Sequence, residues 1–124
     1  MALYEDKQLA LFEDKDFWIT LFDRLQRTTF GINAEHGFED GVMNFGEKLA
    51  LVHGELSEAL EYFRKGNGPS DHIPNFTGVE EEFADAIIRL MNIAERMNLR
   101  LAEAIIEKSK FNDGRPYKHG NKAF

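Results

Sequence analysis

The stretch 49–63, LALVHGELSEALEYF, constrains the chain most, because its side chains divide into two stripes when wound at about 3.6 residues per turn. Leu49, Val52, Leu56, Ala59, Leu60 and Phe63 share one face, and a continuous apolar face predicts a helix packed on a core. Leu51, Glu55, Glu58 and Tyr62 share the neighbouring face, which sets two carboxylates one turn apart beside apolar side chains. Acids at i, i+3 cost a helix roughly a few tenths of a kcal/mol by repulsion. A divalent cation between them would remove that cost.

The pattern recurs in EEEFADAIIRL, 80–90. Phe83, Ala86, Ile87, Leu90, Ala94 and Met97 form the predicted apolar stripe, and Glu82 and Asp85 lie on an adjoining face with Arg89 and Asn92. A short connection favours antiparallel packing, in which the two acidic pairs face each other across a seam. Four carboxylates arranged so are hard oxygen ligands suited to Mg2+, with Mn2+ as an alternative, and Mg2+ is commonly shared with a phosphorylated substrate.

Length and composition bound the rest. A chain of 124 residues predicts one domain, 1–124, and the lack of cysteine excludes disulfides and thiolate zinc sites. Neither a membrane-spanning run nor a basic leader is present, which leads to the expectation of a cytoplasmic protein with no membrane partner. A net charge of -7 argues against a nucleic-acid polymer as partner, since phosphate backbones are gripped by clustered Lys and Arg. The end of the chain differs: from Lys108 onward five basic residues stand against one acid, a local +4 that suggests an anion site.

Punctuation predicts four helices and no strand, an all-α bundle. Residues 1–13 read as a weakly ordered lead. A first helix over 14–28 carries Phe17, Trp18, Leu21, Phe22 and Leu25 at helical spacing, and the Gly-rich segment after it reads as a loop. Asn44 with Glu47, and Thr77 with Glu80, are capping-box pairs that predict helices from about residue 44 to 65 and from 79 to 97. Asn98 marks a break before a last helix over 99–111, and 112–124 reads as a non-helical basic tail.

The two acidic pairs, Glu55-Leu-Ser-Glu58 and Glu82-Phe-Ala-Asp85, followed by Lys108, Asn112, Arg115, Pro116 and Tyr117, resemble the MazG-like nucleoside triphosphate pyrophosphohydrolases of the all-α NTP pyrophosphatase superfamily. Dimeric dUTPases and dCTP pyrophosphatases are relatives of that family. The similarity covers residue 38 to the end. It implies Mg2+-dependent hydrolysis of a nucleoside triphosphate, a dNTP or a non-canonical NTP, to the monophosphate and pyrophosphate. Glu55, Glu58, Glu82 and Asp85 would be metal ligands and catalytic residues, one of them also handling the attacking water. Lys108, Asn112, Arg115 and Tyr117 would contact phosphate or sugar, with Lys118 in the same basic tail. Members of the family are dimers or tetramers, so a homodimer or homotetramer is implied. One departure is plain: the family's first motif opens with two adjacent acids, and here the leading position is Gly54.

Trp18, Phe22 and Phe38 are the aromatic candidates for stacking on a nucleobase, with core packing the favoured reading for Trp18 and Phe22. Glu80 and Glu81 read as capping and solvated. The alternative to an enzyme is a non-catalytic helical interaction module whose acidic faces meet a basic partner or another copy of the chain.

Overall fold

In the computed structural model of the chain, which describes residues 13–115, four helices follow one another: α1 (Lys15–Glu35), α2 (Phe45–Arg64), α3 (Gly78–Arg96) and α4 (Leu101–Asp113). Among the described residues the only β pairing is an isolated bridge between Pro69 and Thr77, so the fold is all-α. No helix among them is long and apolar enough to cross a membrane. The chain clusters into two compact units, one of Gln26–Leu99 and one of Met1–Leu25 with Arg100–Phe124, so the first boundary falls inside α1.

Local chemistry explains where each helix stops. α1 passes the predicted end at 28 and runs to Glu35. Gly31 is accommodated in open space within it, at the usual cost of about 1 kcal/mol against alanine. The stop is set instead by Gly37, at φ 81, whose N–H donates to the Ala34 carbonyl at 3.0 Å. Asn44 caps α2 as predicted, its side chain accepting from the Glu47 N–H at 3.0 Å. At α3 both halves of the capping box form: Thr77 Oγ1 accepts from the Glu80 N–H at 3.2 Å, and the Glu80 carboxylate accepts from the Thr77 N–H at 3.1 Å. Asn98, at φ 57, makes the predicted break. α4 continues to Asp113, so the expected non-helical segment from residue 112 begins two residues later; 1–12 and 116–124 lie outside the described residues.

α2 packs along α3, with Val52, Ala86 and Ile93 at the centre of their contact. The inward arc of α3 matches the predicted stripe only in part, at Ala86 and Ala94. Glu82, Met91, Asn92 and Ile93 are buried beside them, whereas Phe83, Ile87, Leu90 and Met97 are exposed. On α2, Val52 and Ala59 are buried as expected, but Leu56, Leu60 and Phe63 are exposed. Two helices present only one contact line to each other, so a seam filled by carboxylates and small side chains leaves the large apolar residues outside it.

Candidate metal centre

The antiparallel seam brings the two acidic pairs together. One carboxylate oxygen from each of Glu55, Glu82 and Asp85 lies within 4.8 Å of the others. Glu82 is buried, only 5% exposed, and its Oε2 has no hydrogen-bond partner. Glu55 and Asp85 are partly buried, while Glu58 is exposed at the rim, within hydrogen-bonding reach of Glu55 and Glu82. Across the seam Arg89 Nε donates to Glu55 Oε1 at 2.9 Å.

The electrostatics follow from this crowding. Burial, then hydrogen bonding with Glu55 and Glu58 and their charge, pushes the Glu82 carboxyl up to about 8. Burial also raises Asp85, aided by the charges of Glu55 and Glu81. Burial alone would raise Glu55 too, but hydrogen bonds from Glu82 and Arg89, with the Arg89 charge, outweigh it and hold Glu55 below the ordinary value. Glu82 therefore keeps a proton at neutral pH unless a cation replaces it. The donor set is oxygen only, with one buried oxygen unpartnered, and this fits a hard divalent ion such as Mg2+ or Mn2+ and not a thiolate or imidazole metal.

A second set of contacts fixes the connection between the two helices to the start of α3. The buried Ser70 hydroxyl donates to Glu81 Oε1 and accepts from the backbone N–H groups of His72 and Ile73 at 3.2 and 3.1 Å. His72 Nδ1 bonds Glu81 Oε2 at 2.8 Å. Glu81 is thus buried and structural, which corrects the expectation of a solvated side chain; only Glu80 caps. The ring of Tyr62 lies directly on Gly78, where a Cβ would overlap it. Beside the carboxylates opens a cleft of ≈ 460 Å³ lined by Glu58, Glu61, Tyr62, Lys65, Asp71, His72, Glu81 and Glu82.

The residues expected to bind substrate fall in both units. Phe38 is exposed and lines a groove of ≈ 210 Å³ with Thr29, Ile32, Asn33, His36 and Ile88, in the same unit as the carboxylates. Trp18 belongs to the other unit, edge-on to Phe17 with centroids 6.0 Å apart, in an apolar groove with Leu21, Leu25, Ile105 and Ile106. Lys108 and Arg115, in that unit also, lie over the Phe111 ring at 4.4 and 5.5 Å, and Asn112 is exposed in the last turn of α4. Tyr117 and Lys118 lie outside the described residues.

Sequence reasoning set Arg89 and Asn92 on the face of Glu82 and Asp85 without giving them a role, and it passed over Ser70 and His72 as functional neighbours. Arg89 follows Asp85 by one helical turn, which is why it shares the acidic face. Ser70 and His72 carry no such signal, because their partner Glu81 is reached only through the loop's fold. Comparison with protein families, with curated proteins and with solved structures gave no match.

Proposed function

We propose that the chain is a divalent-metal-dependent nucleoside triphosphate pyrophosphohydrolase, releasing the monophosphate and pyrophosphate. One observation carries this reading: Glu55, Glu82 and Asp85 converge from two helices beside a buried, unpartnered carboxylate oxygen, with Arg89 as counter-charge. A hard cation held there supplies neutralisation of phosphate oxygens and acidifies a nearby water. The chain's own groups do the rest. Glu55, Glu82 and Asp85 are the ligands, with Glu58 completing the set from the rim. Arg89 keeps Glu55 aimed into the seam. Glu58, the most exposed of the four, takes the proton of the water that hydrolyses the bond between the α- and β-phosphates. The basic residues Lys108, Arg115 and Lys118 serve the remaining phosphate charge, and a second copy of the chain covers the apolar faces of α2 and α3. Support for that copy is the exposure of Leu56, Leu60, Phe63, Phe83 and Ile87.

The same exposed faces favour the other reading, a non-catalytic interaction module, which has neither turnover nor metal dependence. Incubating the chain with Mg2+ and a panel of canonical and modified nucleoside triphosphates separates the two. Pyrophosphate release that Glu58→Ala or Asp85→Ala largely removes, at unchanged helix content, is the expected result. Orthophosphate alone would overturn the reaction class, and full activity in either variant would overturn the site.

A further inference from the structure

Asn92 stands on the inward arc of α3, three residues after Arg89, and only 6% of it is exposed. Its Oδ1 nevertheless has no hydrogen-bond partner. A buried acceptor left unpaired costs about 1–3 kcal/mol, so such atoms are nearly always satisfied by protein or by ordered water. Asn92 borders a cavity of ≈ 20 Å³ whose other walls are Asn33, Glu39, Met43, Lys48, Arg89 and Ile93. A single water centre needs about 10–15 Å3 and two to four polar neighbours. The cavity meets both conditions and is too small for a phosphate.

The neighbours' existing bonds decide what such a water touches. Glu39 Oε1 accepts from Asn33 at 2.6 Å and its Oε2 from Arg96 at 3.1 Å. Lys48 Nζ donates to the Phe38 carbonyl at 3.1 Å. Arg89 uses its Nε on Glu55, which leaves its terminal Nη groups as donors on that wall beside the remaining hydrogens of the Lys48 ammonium. We propose that one ordered water fills this cavity, donating to Asn92 Oδ1 and accepting from the Arg89 guanidinium, so that Asn92 is a positioning residue for the arginine that aims Glu55. The water stands on cavity and orphan acceptor alone; its consequence for Glu55 rests on the metal-centre reading.

The test is a crystal structure of the full chain at a resolution that shows ordered water, paired with Mn2+ titration followed by electron paramagnetic resonance. One isolated density peak within hydrogen-bonding distance of Asn92 Oδ1 and an Arg89 Nη is expected. Asn92→Leu, similar in volume but without an acceptor, should lose the peak and raise the Mn2+ Kd about threefold or more, short of the roughly 10- to 100-fold typical for a directly bonded outer partner. Asn92→Asp retains an acceptor and should retain both peak and affinity. A dry cavity in the wild-type map overturns the proposal, as does an unchanged Kd in folded Asn92→Leu. Should the leucine variant fail to fold, loss of affinity in Asn92→Asp with the peak still present overturns the positioning role. Should the wild type show the peak and bind no Mn2+, the water stands while the metal-centre reading and the positioning role fall together.

Discussion

Arg89 on α3 reaches Glu55 on α2, Nε to Oε1 at 2.9 Å, and thereby joins the two helices at the point where their carboxylates crowd. The guanidinium does two things at once. Together with the Glu82 hydrogen bond it holds Glu55 below the ordinary value beside a Glu82 that is pushed up to about 8, and it fixes the direction in which Glu55 points.

Arg89→Ala should therefore weaken metal binding by roughly 10-fold or more, the usual penalty for losing a partner that orients a ligand. It should also lower Tm in the absence of metal. Arg89→Lys retains charge without the planar fork and should fall between the two. Mn2+ titration and thermal melts measure both effects; an arginine-free variant with wild-type affinity would detach Arg89 from the site.

Stability in EDTA should decline as pH rises from about 5 to 8. Glu82 is raised from the ordinary 4.5 to about 8, so the native state holds a proton that the unfolded chain has released, and that contribution is lost as pH climbs through the folded value. His72, raised by its bond to Glu81, has the same sign: its contribution is complete below the ordinary 6.5 and is lost as pH rises through its own folded value. Glu81 and Glu55 are lowered, so their contributions disappear only as pH falls below the ordinary glutamate value of 4.5. Saturating Mg2+ should flatten the decline, since a cation replaces the proton on Glu82. Melts from pH 5 to 8 with and without Mg2+ decide the matter, and a Tm that rises with pH in EDTA would contradict the shift at Glu82.

Gly78→Ala should be costly although the glycine begins a helix, where alanine is normally welcome. Its Cβ would overlap the Tyr62 ring, so either the ring or the start of α3 must shift. Overpacking of this kind costs about 1–3 kcal/mol. Chemical denaturation should show that loss, and Gly78→Ala combined with Tyr62→Ala should recover part of it.

Light scattering should find the chain self-associated, because Leu56, Leu60, Phe63, Phe83, Ile87 and Leu90 on α2 and α3 are all exposed. Phe83→Glu with Ile87→Glu should shift the population toward monomer while leaving the α2–α3 seam intact. A wild type that is monomeric at all concentrations would remove the second copy from the proposal.

The sequence by itself determined the helix count, the caps at Asn44 and Thr77 and the break at Asn98, because capping and left-handed backbone are decided by a few adjacent residues. It also determined that Glu55, Glu58, Glu82 and Asp85 come in pairs one turn apart, since helical spacing is a local property. What faces what was a tertiary decision. The apolar stripe on α3 was legible, but periodicity gives a helix's faces without saying which one a partner will cover, and here the covered arc holds Glu82 and Asn92 while Phe83 and Ile87 stay outside. The end of α1 went the same way: Gly31 and Gly37 look alike in sequence, and only the folded backbone shows that Gly37 takes the positive φ. The links from Arg89 to Glu55 and from His72 to Glu81 span separations of 34 and 9 residues, set by how a connection folds back onto a helix, which no local pattern encodes.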